Sequence, residues 1–267
     1  MSDRWLIALD IDGTVLTEDG EITDAVLAEV ARVRDAGHEV MLATGRSVAM
    51  TLPVLERLGL TSEFVVTANG AITLKRDADA PAGYRRENVE TFDPTDALQK
   101  IARWLESAHF AVEDENGFYR YTGEFPEGSL GAAGERVEFE ELFGHRATRL
   151  VVIAPETEED EFIDTVERMG LHKVAYNIGW TNWLDIAPHG VTKAFALERV
   201  REALEIPRSQ VVAIGDGRND IEMLQWAAAE GGRGVAMGSA PPEVVEAGNE
   251  QTGSEYEDGV AQVLATL

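Results

Sequence analysis

The chain has no cysteine among its 267 residues. Disulfides, thiolate metal centres and cysteine nucleophiles are therefore excluded together. Basic residues are also scarce, with 23 Lys and Arg against 49 Asp and Glu and a formal net charge of -26. Such a surface repels a nucleic-acid backbone or an anionic membrane over long range, so neither is an expected partner. The acidic surplus reads as a solvated coat kept soluble by self-repulsion, suited to a salt-rich cytoplasm, and it says nothing about a reaction. Long apolar runs are missing too. The stretch from Trp5 to Leu9 is too short for a signal peptide and nothing later approaches a membrane span, so the expected location is the cytoplasm. The five histidines are scattered, and no solenoid repeat is present.

What remains is ordinary globular material, 44% apolar and 27% charged, and long enough for one large domain or two moderate ones. The opening block runs strand, helix, strand, helix, strand: "WLIALDI", the helical pattern Thr23 to Ala36 closed by Gly37, "HEVMLAT", "SVAMTLPVLERLGL" and "EFVVTANGA". Strands separated by helices predict a parallel sheet covered on both faces. The same grammar returns in "TKAFALERVREALEI", "QVVAIG", "IEMLQWAAA", "RGVAMG" and "PPEVVEAG".

Between these blocks the pattern changes. "PTDALQKIARWLESA" and "TEEDEFIDTVERMG" read as helices, while "FAVED", "FYRYT", "RLVVIAP", "KVAYNI" and "WTNWLDIAP" read as strands, which predicts an inserted α+β domain. The expected partition is 1–82, 83–188 and 189–267. The runs "EDENG" and "PEGSLGAAGE" read as turns or mobile loops, not as sites.

Polar residues gather at the predicted strand ends. "LDIDGT" delivers Asp10 and Asp12, which strand alternation would point to one side. "LATGRS" delivers Thr44, Gly45 and Arg46, "TANGA" delivers Asn69, and "AIGDGRND" delivers Asp216, Asn219 and Asp220. In a parallel sheet these ends share one edge, the edge where open α/β sheets bind ligands. Lys193 opens the helix that precedes the last of these strands. Four carboxylates gathered in a partly dry site repel one another unless some are protonated or a cation sits among them. Hard oxygen ligands without a His or Cys cluster favour Mg²⁺. Asn69-Gly70 also reads as a plain turn, and Arg46 as a local cap or ion pair.

In order, "DIDGT", "ATGR", "GVTK" and "GDGRND" resemble the four motifs of the haloacid dehalogenase (HAD) superfamily, and "GVAMGSA" and "YEDGVA" resemble its Cof-type (subfamily IIB) branch. The resemblance covers roughly the first and last eighty residues. It implies a Rossmann-like parallel-sheet α/β core with an inserted α+β cap of the C2 type, and a phosphatase that hydrolyses a small-metabolite phosphomonoester, such as a sugar phosphate, through an aspartyl-phosphate. On that resemblance Asp10 is the nucleophile, Asp12 the acid and base, Thr44 a hydrogen-bond donor to the phosphoryl oxygens, and Lys193 the offsetting charge. Asp10, the main-chain carbonyl of Asp12 and Asp216 would hold Mg²⁺, with Asp220 either ligating it or orienting its bound water. Gly13, Gly45, Arg46 and Asn219 would contact substrate, with Gly215 and Gly217 allowing close backbone approach. The expected partner is a small phosphorylated metabolite, met by a monomer or homodimer. A phosphomutase of the phosphomannomutase type and a noncatalytic phosphate-binding module are the alternatives. Tyr176, Trp180, Trp183 and His189 are candidates either to line a ring pocket or to pack the hinge.

Overall fold

The computed structural model describes residues 4–131, 133–169, 174–178 and 182–267. The first block contains β1 (Leu6–Leu9), α1 (Asp24–Asp35), β2 (Glu39–Leu42), α2 (Val48–Arg57), β3 (Phe64–Thr67), β4 (Ile72–Arg76) and β5 (Tyr84–Val89). The middle contains α3 (Thr95–Ala102), β6 (His109–Glu113), β7 (Tyr119–Tyr121), β8 (Gly134–Arg136), β9 (Arg149–Ile153), α4 (Glu159–Met169), β10 (Val174–Ile178) and β11 (Trp183–Pro188). The last block contains α5 (Lys193–Ala203), β12 (Val211–Gly215), α6 (Ile221–Ala228), β13 (Arg233–Ala236), α7 (Pro242–Ala247), β14 (Glu250–Gln251) and α8 (Gly259–Leu264).

Local sequence explains the first crossover. Thr23 caps α1 by accepting from the Val26 amide at 3.3 Å, and Val26, Val30 and Val33 form a buried stripe at helical spacing. Full burial of each contributes roughly 1.5–3 kcal/mol. Gly37 ends the helix with φ +95, donating to the Arg34 carbonyl at 2.9 Å.

The core sheet runs β14-β13-β12-β1-β2, all parallel. A parallel bridge between Ala43 and Val66 carries it on to β3, which pairs antiparallel with β4. Alternation along β1 sends Ile7 and Leu9 to the layer formed by α1, α2 and α8, and Leu6 and Ala8 to the layer of α5, α6 and α7. Strands buried on both faces need continuous apolar runs, and all four residues of β1 are fully buried.

The middle segment forms its own sheet, ordered β10-β11-β9-β6-β7-β8 and antiparallel except for the β7-β8 pair. Leu98 and Ile101 of α3 and Phe162 and Val166 of α4 cover one face. The other face carries Ala111, Tyr119, Val151 and Ile153, and among the described residues no helix of the insert packs in that cluster. β8 corrects one expectation: part of the glycine-rich stretch read as turns or mobile loop is a strand, held only by its tertiary partner β7. An insert beginning at residue 83 would include β5, which pairs along β4 in the first block. We propose on that pairing that the insert begins after Val89.

The insert lies over the C-terminal ends of the core strands. β10 approaches the turn Arg218–Asp220, and the backbone of Gly131 packs on the Met50 side chain of α2.

Candidate active site

Asp10 follows β1 directly, and its amide donates to the Ile214 carbonyl of β12 at 3.0 Å. Asp216 follows β12, and Asp220 closes the short turn after it. One oxygen from each of Asp10, Asp216 and Asp220 lies within 4.8 Å of the others, and all three residues are buried. Lys193 joins them. Its Nζ donates to Asp10 Oδ1 and to Asp220 Oδ1, both at 2.7 Å.

A lysine at the first position of a helix faces the positive end of the helix dipole, and this one is 1% exposed. Neither circumstance suits a lone ammonium; the two carboxylates it bridges compensate for both. Burial alone would lower the Lys193 pKa, but the charges of Asp10 and Asp220 outweigh it and hold the ammonium well above its ordinary range. Burial, then the charge of Asp220, pushes the Asp10 pKa up, with Lys193 opposing. Asp216 is raised by burial and then by Asp10 and Asp220, and Thr14 opposes by donating its hydroxyl to Asp216 Oδ1 at 2.9 Å.

Asp220 is fully buried and spends its second oxygen on the loop, accepting from the amides of Asp216 at 3.1 Å and Gly217 at 3.0 Å. Two glycines make the cluster sterically possible. Gly13 adopts φ +72, and a Cβ there would run into the Asp216 carboxylate; a Cβ at Gly215 would meet the side chain of Asp220.

Asp12 departs from simple alternation. β1 ends at Leu9, and the amides of Val15 and Leu16 fold back onto the Ile11 carbonyl, so period-two geometry stops before Asp12. Its carboxylate stands apart from the three-acid cluster, 63% exposed, and accepts from Arg46 Nε at 2.9 Å and Nη2 at 2.5 Å. Arg46 thus does form the ion pair that is its simpler reading.

Thr44 is buried beside these groups. Its Oγ1 accepts from the Arg46 amide at 3.1 Å, leaving the hydroxyl proton uncommitted among the described residues. Gly45 packs against the Asn69 amide, with space for no larger neighbour: a Cβ would lie 3.1 Å from Asn69 Oδ1. Asn69 adopts φ 52, donates its backbone amide to the Thr44 carbonyl at 3.0 Å, and accepts at Oδ1 from Asn219 Nδ2 at 3.1 Å. The "ANG" turn is therefore also the support between the second and fourth motifs.

Sequence reasoning gave no role to Thr14 or Ser47. Thr14 sits inside "DIDGT", but its partner Asp216 is 202 residues away. Ser47 stands at the N-cap of α2 with a buried hydroxyl that has no hydrogen-bond partner among the described residues. Of the four pocket or hinge candidates, Trp180 and the side chain of Tyr176 lie outside the described residues. Trp183 packs edge-on against Phe125 at 6.3 Å, and His189 is exposed.

A family model for haloacid dehalogenase-like hydrolases matches residues 7–264. The chain belongs to that family. Among curated relatives it is 26% identical to the 5-amino-6-(5-phospho-D-ribitylamino)uracil phosphatase YitU of Bacillus subtilis, over 97% of this chain and 96% of that one. It is 29% identical to the YcsE phosphatase of the same name and organism, over 98% and 95%. The solved structure of the HAD subclass IIB sugar phosphatase BT4131 superposes with a TM-score of 0.81 at 21% identity, covering 98% of each chain, a likeness that establishes the fold. This HAD hydrolase therefore has a Rossmann-like parallel-sheet core with an inserted α+β cap. No helix among its described residues is long and apolar enough to cross a membrane.

Proposed function

We propose that this enzyme is a Mg²⁺-dependent phosphomonoesterase that hydrolyses a small phosphorylated metabolite through an aspartyl-phosphate on Asp10. The observation that carries the reading is the Lys193 ammonium held between Asp10 and Asp220 inside a buried three-carboxylate cluster. The relatives named as phosphatases support the same reaction class.

The cluster's chemistry suits the ion. Three buried carboxylates face one ammonium, and all the donors are hard oxygens. Asp10, Asp216 and Asp220, with the main-chain carbonyl of Asp12, would hold Mg²⁺. When bound, the ion supplies Lewis-acid charge stabilisation for the phosphoryl oxygens.

The remaining chemistry belongs to the chain. Lys193 fixes Asp10 through Oδ1, leaving Oδ2 without a hydrogen-bond partner among the described residues and available to attack phosphorus. The Thr44 hydroxyl donates to a phosphoryl oxygen. Asp12 gives a proton to the leaving alcohol and later takes one from the hydrolytic water, which requires it to leave Arg46. Arg46 and Asn219 bind the phosphate side, and the cap limits bulk water.

The test is phosphate release from p-nitrophenyl phosphate, together with thermal unfolding. EDTA is expected to stop hydrolysis and lower the unfolding midpoint, with both restored by Mg²⁺, whereas the Asp216→Ala variant shows no Mg²⁺-dependent stabilisation. Full activity in EDTA would sink the metal assignment.

A further inference from the structure

Away from the carboxylates lies an open cavity of about 910 Å³, formed between Ala49 in the first turn of α2 and the cap's β7–β8 region. Tyr121, Phe125, Glu124, Glu127 and Arg136 line it. Its position ties it to the reaction. Ala49 is three residues beyond Arg46, a span of at most about 11 Å of chain, and Arg46 holds the carboxylate of Asp12.

Register fixes which way the cap residues face. Tyr121 stands opposite Ala111, and Arg136 stands opposite Tyr121. All three therefore project from one side of the sheet, the side opposite α3 and α4.

Arg136 is exposed, and its guanidinium makes no ion pair or hydrogen bond among the described residues. Its neighbour Glu135 leans to Arg120 at 3.7 Å. Glu124 and Glu127 share the cavity with Arg136 without pairing to it. In a chain with 49 acidic residues against 23 basic ones, this guanidinium shares a cavity with two carboxylates and is left free to bind a further anion. Its planar fork suits a carboxylate or phosphate held through two hydrogen bonds.

We propose that this cavity is the leaving-group subsite of the phosphatase, and that Arg136 binds a second anionic group carried by the alcohol part of the ester. The substrate class is then phosphate esters of hydroxylated acids, or bisphosphates. Glu124 and Glu127 accept hydrogen bonds from the hydroxyls, and the Tyr121 and Phe125 rings pack against the carbon skeleton. The assignment rests on the phosphatase reading.

Two ester pairs isolate the second anion: 6-phosphogluconate against sorbitol 6-phosphate, and fructose 1,6-bisphosphate against fructose 6-phosphate. The wild type is expected to prefer the anionic member of at least one pair by about tenfold or more in kcat/KM, as expected for a charge-assisted hydrogen bond. Arg136→Gln brings that ratio near one, Arg136→Lys keeps part of it, and Arg103→Gln, which alters another exposed arginine far along the chain, keeps all of it. Matched unfolding midpoints confirm that each variant is folded. A wild type without preference in either pair, or a ratio that survives Arg136→Gln, overturns the proposal. Absence of phosphate release by the wild type from every ester, p-nitrophenyl phosphate included, instead overturns the phosphatase reading on which it rests.

Discussion

The protein buries two charged clusters, one in the core and one in the cap, and their charge balance differs. The core cluster sets Asp10, Asp216 and Asp220 against the single ammonium of Lys193. The cap cluster sets Glu113 and Asp185 against Arg149. There Arg149 Nε donates to Asp185 Oδ1 at 2.7 Å, and the Tyr119 hydroxyl donates to Glu113 Oε2 at 2.7 Å. Burial raises the Glu113 pKa against the opposing effects of Arg149 and Tyr119, and it raises Asp10 to about 7 and Asp216 to about 8 as well, so the contrast lies in carboxylates per cation: three to one in the core, two to one in the cap. The cap cluster, closed within its sheet, works as structure, although Glu113 Oε1 has no hydrogen-bond partner among the described residues. A less neutralised one, opening at the ends of parallel strands, is suited to take up a cation.

That contrast predicts opposite responses to the loss of one charge. Asp10→Asn is expected to lower phosphate release by on the order of 10⁴-fold or more, since it removes the nucleophile. Its unfolding midpoint in metal-free buffer is expected to be no lower than wild type, because the substitution relieves repulsion. In the cap, Arg149→Ala leaves Asp185 without its buried partner and should cost about 3–5 kcal/mol in denaturant unfolding. A destabilised Asp10→Asn beside a neutral Arg149→Ala would invert the comparison.

A half-buried cluster near the surface provides the small end of the scale. Glu198 accepts hydrogen bonds from Arg201 and from the Trp226 indole, and the Arg201 contact leads in lowering its pKa from 4.5 to about 2. A depressed carboxylate pKa contributes stability that is present above the unfolded value and lost as pH falls through the folded one. Glu198→Gln should therefore lower stability at pH 7 by less than about 1 kcal/mol after solvent screening. The difference from wild type should fade between pH 4.5 and about 2. A deficit that persisted in acid would assign the effect to packing.

The two regions also differed in how far the sequence reveals them. Asp10, Thr44, Lys193 and Asp216 sit in short motifs beside apolar strands or at a capped helix start, where local pattern fixes both element and position. Their convergence then follows from a parallel sheet sharing one edge. Thr14 and Asn69 were less legible, because their roles depend on partners 202 and 150 residues away. Asp12 misled alternation, since the turn at Ile11 ends the strand before reaching it. In the cap, β8 has no periodic signal of its own and exists because β7 offers an edge. The loop before it is glycine-rich, so composition indicated turns but gave no hint of a cavity against α2.

The most direct test of the central claim is to trap the covalent enzyme. With ³²P-labelled p-nitrophenyl phosphate and Mg²⁺, acid quenching within the first turnovers is expected to leave a hydroxylamine-labile label on the peptide containing Asp10, and none in the Asp10→Asn variant. Rapid phosphate release without such a label, or a label on a different residue, would contradict the account.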